Sequence, residues 1–222
     1  MITPGHTAVL FDLDGTLVDS APDLTGALNQ LLAEEGRAPI ALERARPHTS
    51  SGARGMIGAG FGISGEDPIY PALKDRFLDI YQSRLARDSC VFEGVHALLD
   101  RLDAEGIPWG IVTNKAMRFT APLVAALGLA ARTQVVVSGD TTPHAKPHPA
   151  PLLHAAAQLG WAPENCVYVG DDLRDVQAAQ AAKMRSVVAL YGYLGEGLPP
   201  DQWGGDVSVG HPLEIADLIR TR

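Results

Sequence analysis

The chain has 222 residues, of which 46% are hydrophobic and 20% charged, and its 26 acidic against 18 basic side chains give a formal net charge of −8. At about 100–200 residues per domain, this length allows one large domain or a core with a small second unit, and the composition is far from that of disordered chains. Net acidity without any Lys/Arg stripe excludes nucleic acid and anionic membranes as principal partners.

The opening Met1-Ile2-Thr3-Pro4-Gly5-His6 lacks the basic-then-apolar order of a signal peptide, and no run approaches the about 20 apolar residues of a membrane span. A cytoplasmic location is expected. Ala8-Val9-Leu10-Phe11 is then the first of five short apolar runs rich in β-branched residues. Such continuous hydrophobicity predicts strands covered on both faces, as in a parallel sheet. This run leads directly into Asp12-Leu13-Asp14-Gly15-Thr16. About ninety residues follow before the next strand, far more than a crossover needs. Residues 17–89 are therefore expected to form an inserted helical unit, with helical pieces at 22–35 and 68–87 and a glycine-rich centre at 51–62. Within it, Gly60-Phe61-Gly62-Ile63-Ser64-Gly65 satisfies the dinucleotide-binding pattern but neither follows a buried strand nor opens a βαβ unit, so that reading is rejected.

Beyond the insert, helices are predicted at 93–105, 118–128, 149–159, 173–182 and 212–220. They alternate with apolar runs at Trp109–Val112, Gln134–Val137, Cys166–Val169 and Ser186–Leu190. The alternation implies a doubly wound α/β core with a mainly parallel sheet, made of residues 1–16 and 90–222. The two cysteines, Cys90 and Cys166, are too few for a disulfide framework or a zinc site, and Cys166 is expected to be a small buried hydrophobe.

In an open α/β sheet, ligands bind beyond the carboxyl ends of the strands. Three strands end there in polar residues: Asp12 and Asp14 after the first, Thr113-Asn114 after the second, and Asp171-Asp172, followed by Asp175, after the fourth. Converging carboxylates are costly without a cation, and hard oxygen ligands favour Mg²⁺. Lys146, in the loop after the third strand, supplies a fixed ammonium, and the Thr113 hydroxyl could hold phosphoryl oxygens. These parts fit phosphoryl transfer: one carboxylate attacks phosphorus, and a second, protonated, serves the leaving alcohol and then the attacking water.

Phe11-Asp12-Leu13-Asp14-Gly15-Thr16-Leu17-Val18-Asp19-Ser20 resembles the first motif of the haloacid dehalogenase superfamily, Val112-Thr113-Asn114 its second, Lys146-Pro147 its third and Gly170-Asp171-Asp172-Leu173-Arg174-Asp175 its fourth. The ordered set spans essentially the whole chain and is far more specific than one D-x-D. The resemblance implies a Rossmann-like core with a helical cap and a Mg²⁺-dependent phosphatase acting on a small-molecule phosphomonoester through an aspartyl-phosphate. It implies Asp12 as nucleophile, Asp14 as acid/base, and Thr113, Asn114 and Lys146 as phosphate ligands. It also implies a metal held by the Asp12 carboxylate, the Asp14 backbone carbonyl and Asp171. Asp175 would support the site, and Asp172 either approaches the metal or caps a helix. Cap hinges are expected near residues 16–20 and 85–92.

The retained Asp14 favours a phosphatase over a dehalogenase. A phosphomutase of the β-phosphoglucomutase kind and a non-catalytic phosphate-binding protein are the alternatives. The overall pattern resembles phosphoglycolate phosphatases. Gly52-Ala53-Arg54, Lys115 with Arg118-Phe119, Tyr191-Gly192-Tyr193, Trp203-Gly204 and His211-Pro212-Leu213-Glu214 resemble bacterial N-acetylmuramic acid 6-phosphate phosphatases. Both substrates carry a carboxylate besides the phosphate, and Arg54 in the cap is expected to reach it, with His48, Ser50 and Ser51 as weaker candidates.

Overall fold

A computed structural model describes residues 7–220; the Met1–His6 segment weighed above as a signal peptide lies outside them. In chain order the elements are β1 (Ala8–Phe11), β2 (Val18–Asp19), α1 (Ala21–Glu34), α2 (Leu42–Ala45), α3 (Gly52–Phe61), α4 (Tyr70–Arg84), β3 (Cys90–Val91) and α5 (Val95–Ala104). Then come β4 (Trp109–Val112), α6 (Met117–Ala126), β5 (Val135–Val137), α7 (Ala150–Leu159), β6 (Cys166–Gly170), α8 (Leu173–Ala182), β7 (Arg185–Ala189), β8 (Val207–Val209) and α9 (Pro212–Arg220).

Six strands form one sheet in the order β5-β4-β1-β6-β7-β8, and every neighbouring pair is parallel. The expectation of a buried parallel sheet is met, and its physical basis is the two-sided packing. Val9 and Phe11 face a cluster completed by Trp109 of β4 and by Leu98 and Ile215 of α5 and α9. Ala8 and Leu10 alternate to the other face, against Leu152 of α7 and Ala178 of α8. Each of the larger side chains, such as Val9, Leu10 and Phe11, fully withdrawn from water, contributes about 1.5–3 kcal/mol. The register sets the site: β1 lies between β4 and β6, so the residues that follow these three strands emerge side by side.

Helices α1–α4 build a third apolar cluster around Leu28, Met56, Phe77 and Tyr81, to which α6 of the core lends Phe119. Tyr81 and Phe119 pack ring against ring at 5.3 Å. The chain enters and leaves this helical segment through β2 and β3, paired antiparallel with Val18 opposite Val91 and Asp19 opposite Cys90. Among the described residues no helix is long and apolar enough to cross a membrane.

Candidate active site

The Asp12 backbone N–H donates to the Val169 carbonyl at 2.8 Å, carrying the β1–β6 ladder one residue past the strand and fixing where its carboxylate leaves the sheet. The chain then turns sharply at Gly15, whose φ of +90° disfavours any side chain. A Cβ there would also lie 2.1 Å from the Asp171 carboxylate, so the turn wraps directly around that residue.

Asp12, Asp171 and Asp175 each bring a carboxylate oxygen within 4.8 Å of the others. Asp171 is fully buried and accepts from the Thr16 hydroxyl and the Tyr193 backbone N–H, both at 2.9 Å. Burial, reinforced by Asp12 and Asp175, nevertheless pushes its carboxyl well above the usual range. Asp12 is likewise raised, to about 6, by burial that Lys146 only partly offsets. Lys146 Nζ sits 2.8 Å from Asp12 Oδ1, 2.7 Å from Asp175 Oδ1 and 2.8 Å from the Tyr168 hydroxyl. Burial works against this ammonium, but the two carboxylates hold its pKa above the ordinary lysine value. One ammonium thus pairs with two of the three clustered carboxylates. An all-oxygen donor set with unbalanced negative charge fits a hard divalent cation such as Mg²⁺.

The sequence groups Asn114 with the phosphate ligands, but both ends of its amide are committed to the Lys146 backbone. Its Nδ2 donates to the carbonyl and its Oδ1 accepts from the N–H, each at 2.9 Å. Asn114 therefore fixes the lysine loop, whose Lys146–Pro147 peptide is cis. Thr113 remains on the cavity wall, with its hydroxyl accepting from the Lys115 N–H at 3.2 Å.

Asp14 points away from the carboxylate cluster. Its side chain pairs with Lys115 Nζ at 2.9 Å and accepts from the Ser20 hydroxyl. Lys115 in turn lies 4.9 Å over the Tyr81 ring of α4. Asp172 resolves as a helix cap: it accepts from the Arg174 N–H while Asp175 accepts from the Asp172 N–H, a reciprocal capping box on α8. Arg174 makes a salt bridge to Asp172 at 2.8 Å and donates to the Ser50 carbonyl, across to the helical segment, at 2.7 Å.

A cavity of about 430 Å³ opens from Asp12, Thr113 and Lys146 toward Leu24, Phe77 and Ser50. Arg54 is not on its wall; the residue is exposed, with its guanidinium against Gly65. His48 Nδ1 lies 3.3 Å from Glu196 Oε2, whereas Ser50 and Ser51 do line the cavity. Lys115 and Arg174, given no role by sequence, sit one residue beyond the second motif and inside the fourth. Their spacing was visible, but their partners, Asp14 and Ser50, are defined only by the fold.

A family model for haloacid dehalogenase-like hydrolases matches residues 9–189. The chain is 41% identical over 212 residues to an N-acetylmuramic acid 6-phosphate phosphatase of Pseudomonas aeruginosa, covering 96% of this chain and 94% of that one. It is 45% identical over 209 residues to a phosphoglycolate phosphatase of Xanthomonas campestris pv. campestris, covering 94% of each. The crystal structure of a predicted phosphoglycolate phosphatase from Haemophilus somnus superposes with a TM-score of 0.84 at 26% identity, over 96% of this chain and 97% of that one.

Proposed function

The chain belongs to the haloacid dehalogenase-like hydrolase family and is a phosphatase, and from that premise we propose that it hydrolyses a carboxylate-bearing sugar phosphate, N-acetylmuramic acid 6-phosphate, in preference to phosphoglycolate. One observation carries the preference. The Thr49 and Ser50 hydroxyls, on the far wall of the cavity from Asp12, are buried and have no hydrogen-bond partner. Each such group costs about 1–3 kcal/mol unless a ligand satisfies it. A sugar ring is long and polar enough to do so, while a two-carbon acid phosphate would leave both groups unpaired and much of the 430 Å³ unfilled. The relatives named phosphoglycolate phosphatase, at 45% identity, support the second reading.

In the first step a carboxylate oxygen of Asp12 forms a bond to phosphorus as the ester P–O bond breaks. Lys146, held by the Asn114 clasp, stabilises the equatorial oxygens, and Thr113 donates to one of them. Asp14 gives a proton to the departing sugar oxygen, which requires its side chain to leave Lys115. In the second step a water oxygen bonds to phosphorus, its proton passes to Asp14, and the Asp12 carboxylate is released with inorganic phosphate. Asp12, Asp171 and the Asp14 backbone carbonyl would hold Mg²⁺, which when bound screens the phosphate dianion from the Asp12 carboxylate. Residues 17–89 act as a cap that excludes water, with flexing near residues 16–20 and 85–92. The unpaired thiols of Cys90 and Cys166 agree with a reducing cytoplasm as the site of action.

Measuring kcat/KM for both substrates on one Mg²⁺-loaded preparation tests the reading. The sugar phosphate should lead by at least about tenfold, one satisfied polar group's worth. A lead for phosphoglycolate overturns the preference.

A further inference from the structure

Four cationic side chains line the cavity, and three are already matched. Lys146 serves Asp12 and Asp175, Lys115 pairs with Asp14, and Arg174 pairs with Asp172. Arg118 is the fourth, and among the described residues it has no carboxylate partner. Its guanidinium lies instead 4.5 Å over the ring of Phe119, which leaves its planar N–H edge unpaired.

Its position in the fold is also unfavourable for a cation without a ligand. Arg118 stands in the first turn of α6, where the helix dipole favours anions, and Ala116 at the N-cap offers no side-chain acceptor. This turn faces the helical segment, because Phe119 next to it is buried in that segment's apolar cluster. The arginine is therefore anchored by its stacked ring at the junction of core and cap, while the phosphate-binding groups are separately occupied at the strand ends.

Resting on the phosphomonoester reading above, we infer that Arg118 is the specificity-determining residue that takes the second anionic group of the substrate, its carboxylate. Arg54 was the sequence's candidate for this task, but it lies off the cavity wall. A guanidinium–carboxylate fork discriminates strongly against an analogue that lacks the acid, because only the acid supplies both acceptors.

The experiment uses two substrate pairs in which one member lacks the carboxylate: N-acetylmuramic acid 6-phosphate against N-acetylglucosamine 6-phosphate, which lacks the whole lactyl ether, and phosphoglycolate against ethyl phosphate, which lacks only the acid group. The readout is the ratio of kcat/KM within each pair, for the native enzyme, Arg118→Met and Arg118→Lys. Methionine keeps an apolar stem on the Phe119 ring, and lysine keeps the charge without the fork. Arg118→Met should lower the ratio about 10- to 100-fold in the pair the native enzyme prefers, mostly through KM, with Arg118→Lys in between. An unchanged ratio in Arg118→Met, or an equal loss on both members of a pair, overturns the assignment. The latter would place Arg118 on the phosphate. A native enzyme that shows no preference within either pair has a different signature; it refutes the carboxylate-bearing substrate itself, and the inference falls with it.

Discussion

The two walls of the cavity are built from different chemistry. Every charged residue on it, from Asp12 and Asp14 to Arg174 and Asp175, comes from the strand ends, following loops and helix starts of the α/β core. Everything contributed by the helical segment is neutral: hydroxyls at Thr49, Ser50 and Ser51, and apolar or aromatic surface at Leu24, Phe77 and Tyr81. The core wall can therefore stabilise charge as it develops, whereas the wall from the helical segment offers only shape and neutral hydrogen-bonding groups. Under the proposed function, turnover falls to the core, while selectivity is divided between the hydroxyls of the helical segment and Arg118 of the core.

The sharpest way to break that division is Asp12→Asn, which removes the nucleophile while keeping its shape. Activity should fall by at least about 10⁴-fold on every phosphomonoester, with the sugar phosphate still bound in a direct titration. Residual turnover near the native rate would mean that the core carboxylate is not where chemistry happens. Removing divalent cations with a chelator should silence the enzyme comparably, and added Mg²⁺ should restore it; activity that survives chelation would count against a metal at the carboxylate cluster.

Lys146→Met probes the core's internal balance. It leaves Asp12 and Asp175 buried without their shared ammonium, so equilibrium unfolding in urea should show a loss of about 3–5 kcal/mol. A near-neutral result would mean that the cluster tolerates its charge without the lysine. On the opposite wall, Thr49→Val with Ser50→Ala should cost about tenfold in kcat/KM for the sugar phosphate and leave the rate with phosphoglycolate nearly unaltered, because the smaller substrate does not reach those hydroxyls. Equal losses on both would show the cap hydroxyls to be structural.

The smallest effect distinguishes neck from sheet. Cys90 is exposed on β3, while burial pushes the Cys166 thiol on β6 up to about 11. Below that pH the thiol stays protonated; at pH 8 only about one part in a thousand is thiolate. A disulfide reagent at pH 8 should thus label one cysteine quickly and the second only on unfolding or as the pH nears 11. Two fast labels in the native protein would show that β6 opens readily.

Much of this arrangement was legible in the chain itself. Strands buried on both faces announce themselves as unbroken apolar runs, and the groups that end them inherit a common edge from the parallel topology, so Asp12, Thr113 and Asp171 could be placed together without coordinates. Strand β8 is not encoded in the same way, because three residues with only one buried side chain, Val207–Val209, carry no periodicity. The pairing of Arg174 with Ser50 and the commitment of Asn114 to the Lys146 backbone depend on tertiary closure, and nothing local encodes them. Arg118 shows the same limit from the other side. As a sequence position it is an ordinary first-turn arginine, and its unmatched charge becomes visible only after every neighbour's partner is known.

The two-residue strands at the neck have a consequence for how such a chain can change. Asp19 and Cys90, seventy-one positions apart, are ladder partners, so the segment between them begins and ends across a gap of about 5 Å. A piece of almost any length can hang from that clasp, or be exchanged for another, without shifting a single register in the six-stranded sheet. The catalytic half is in this sense a socket, and a lineage can fit new substrates by replacing what is plugged into it.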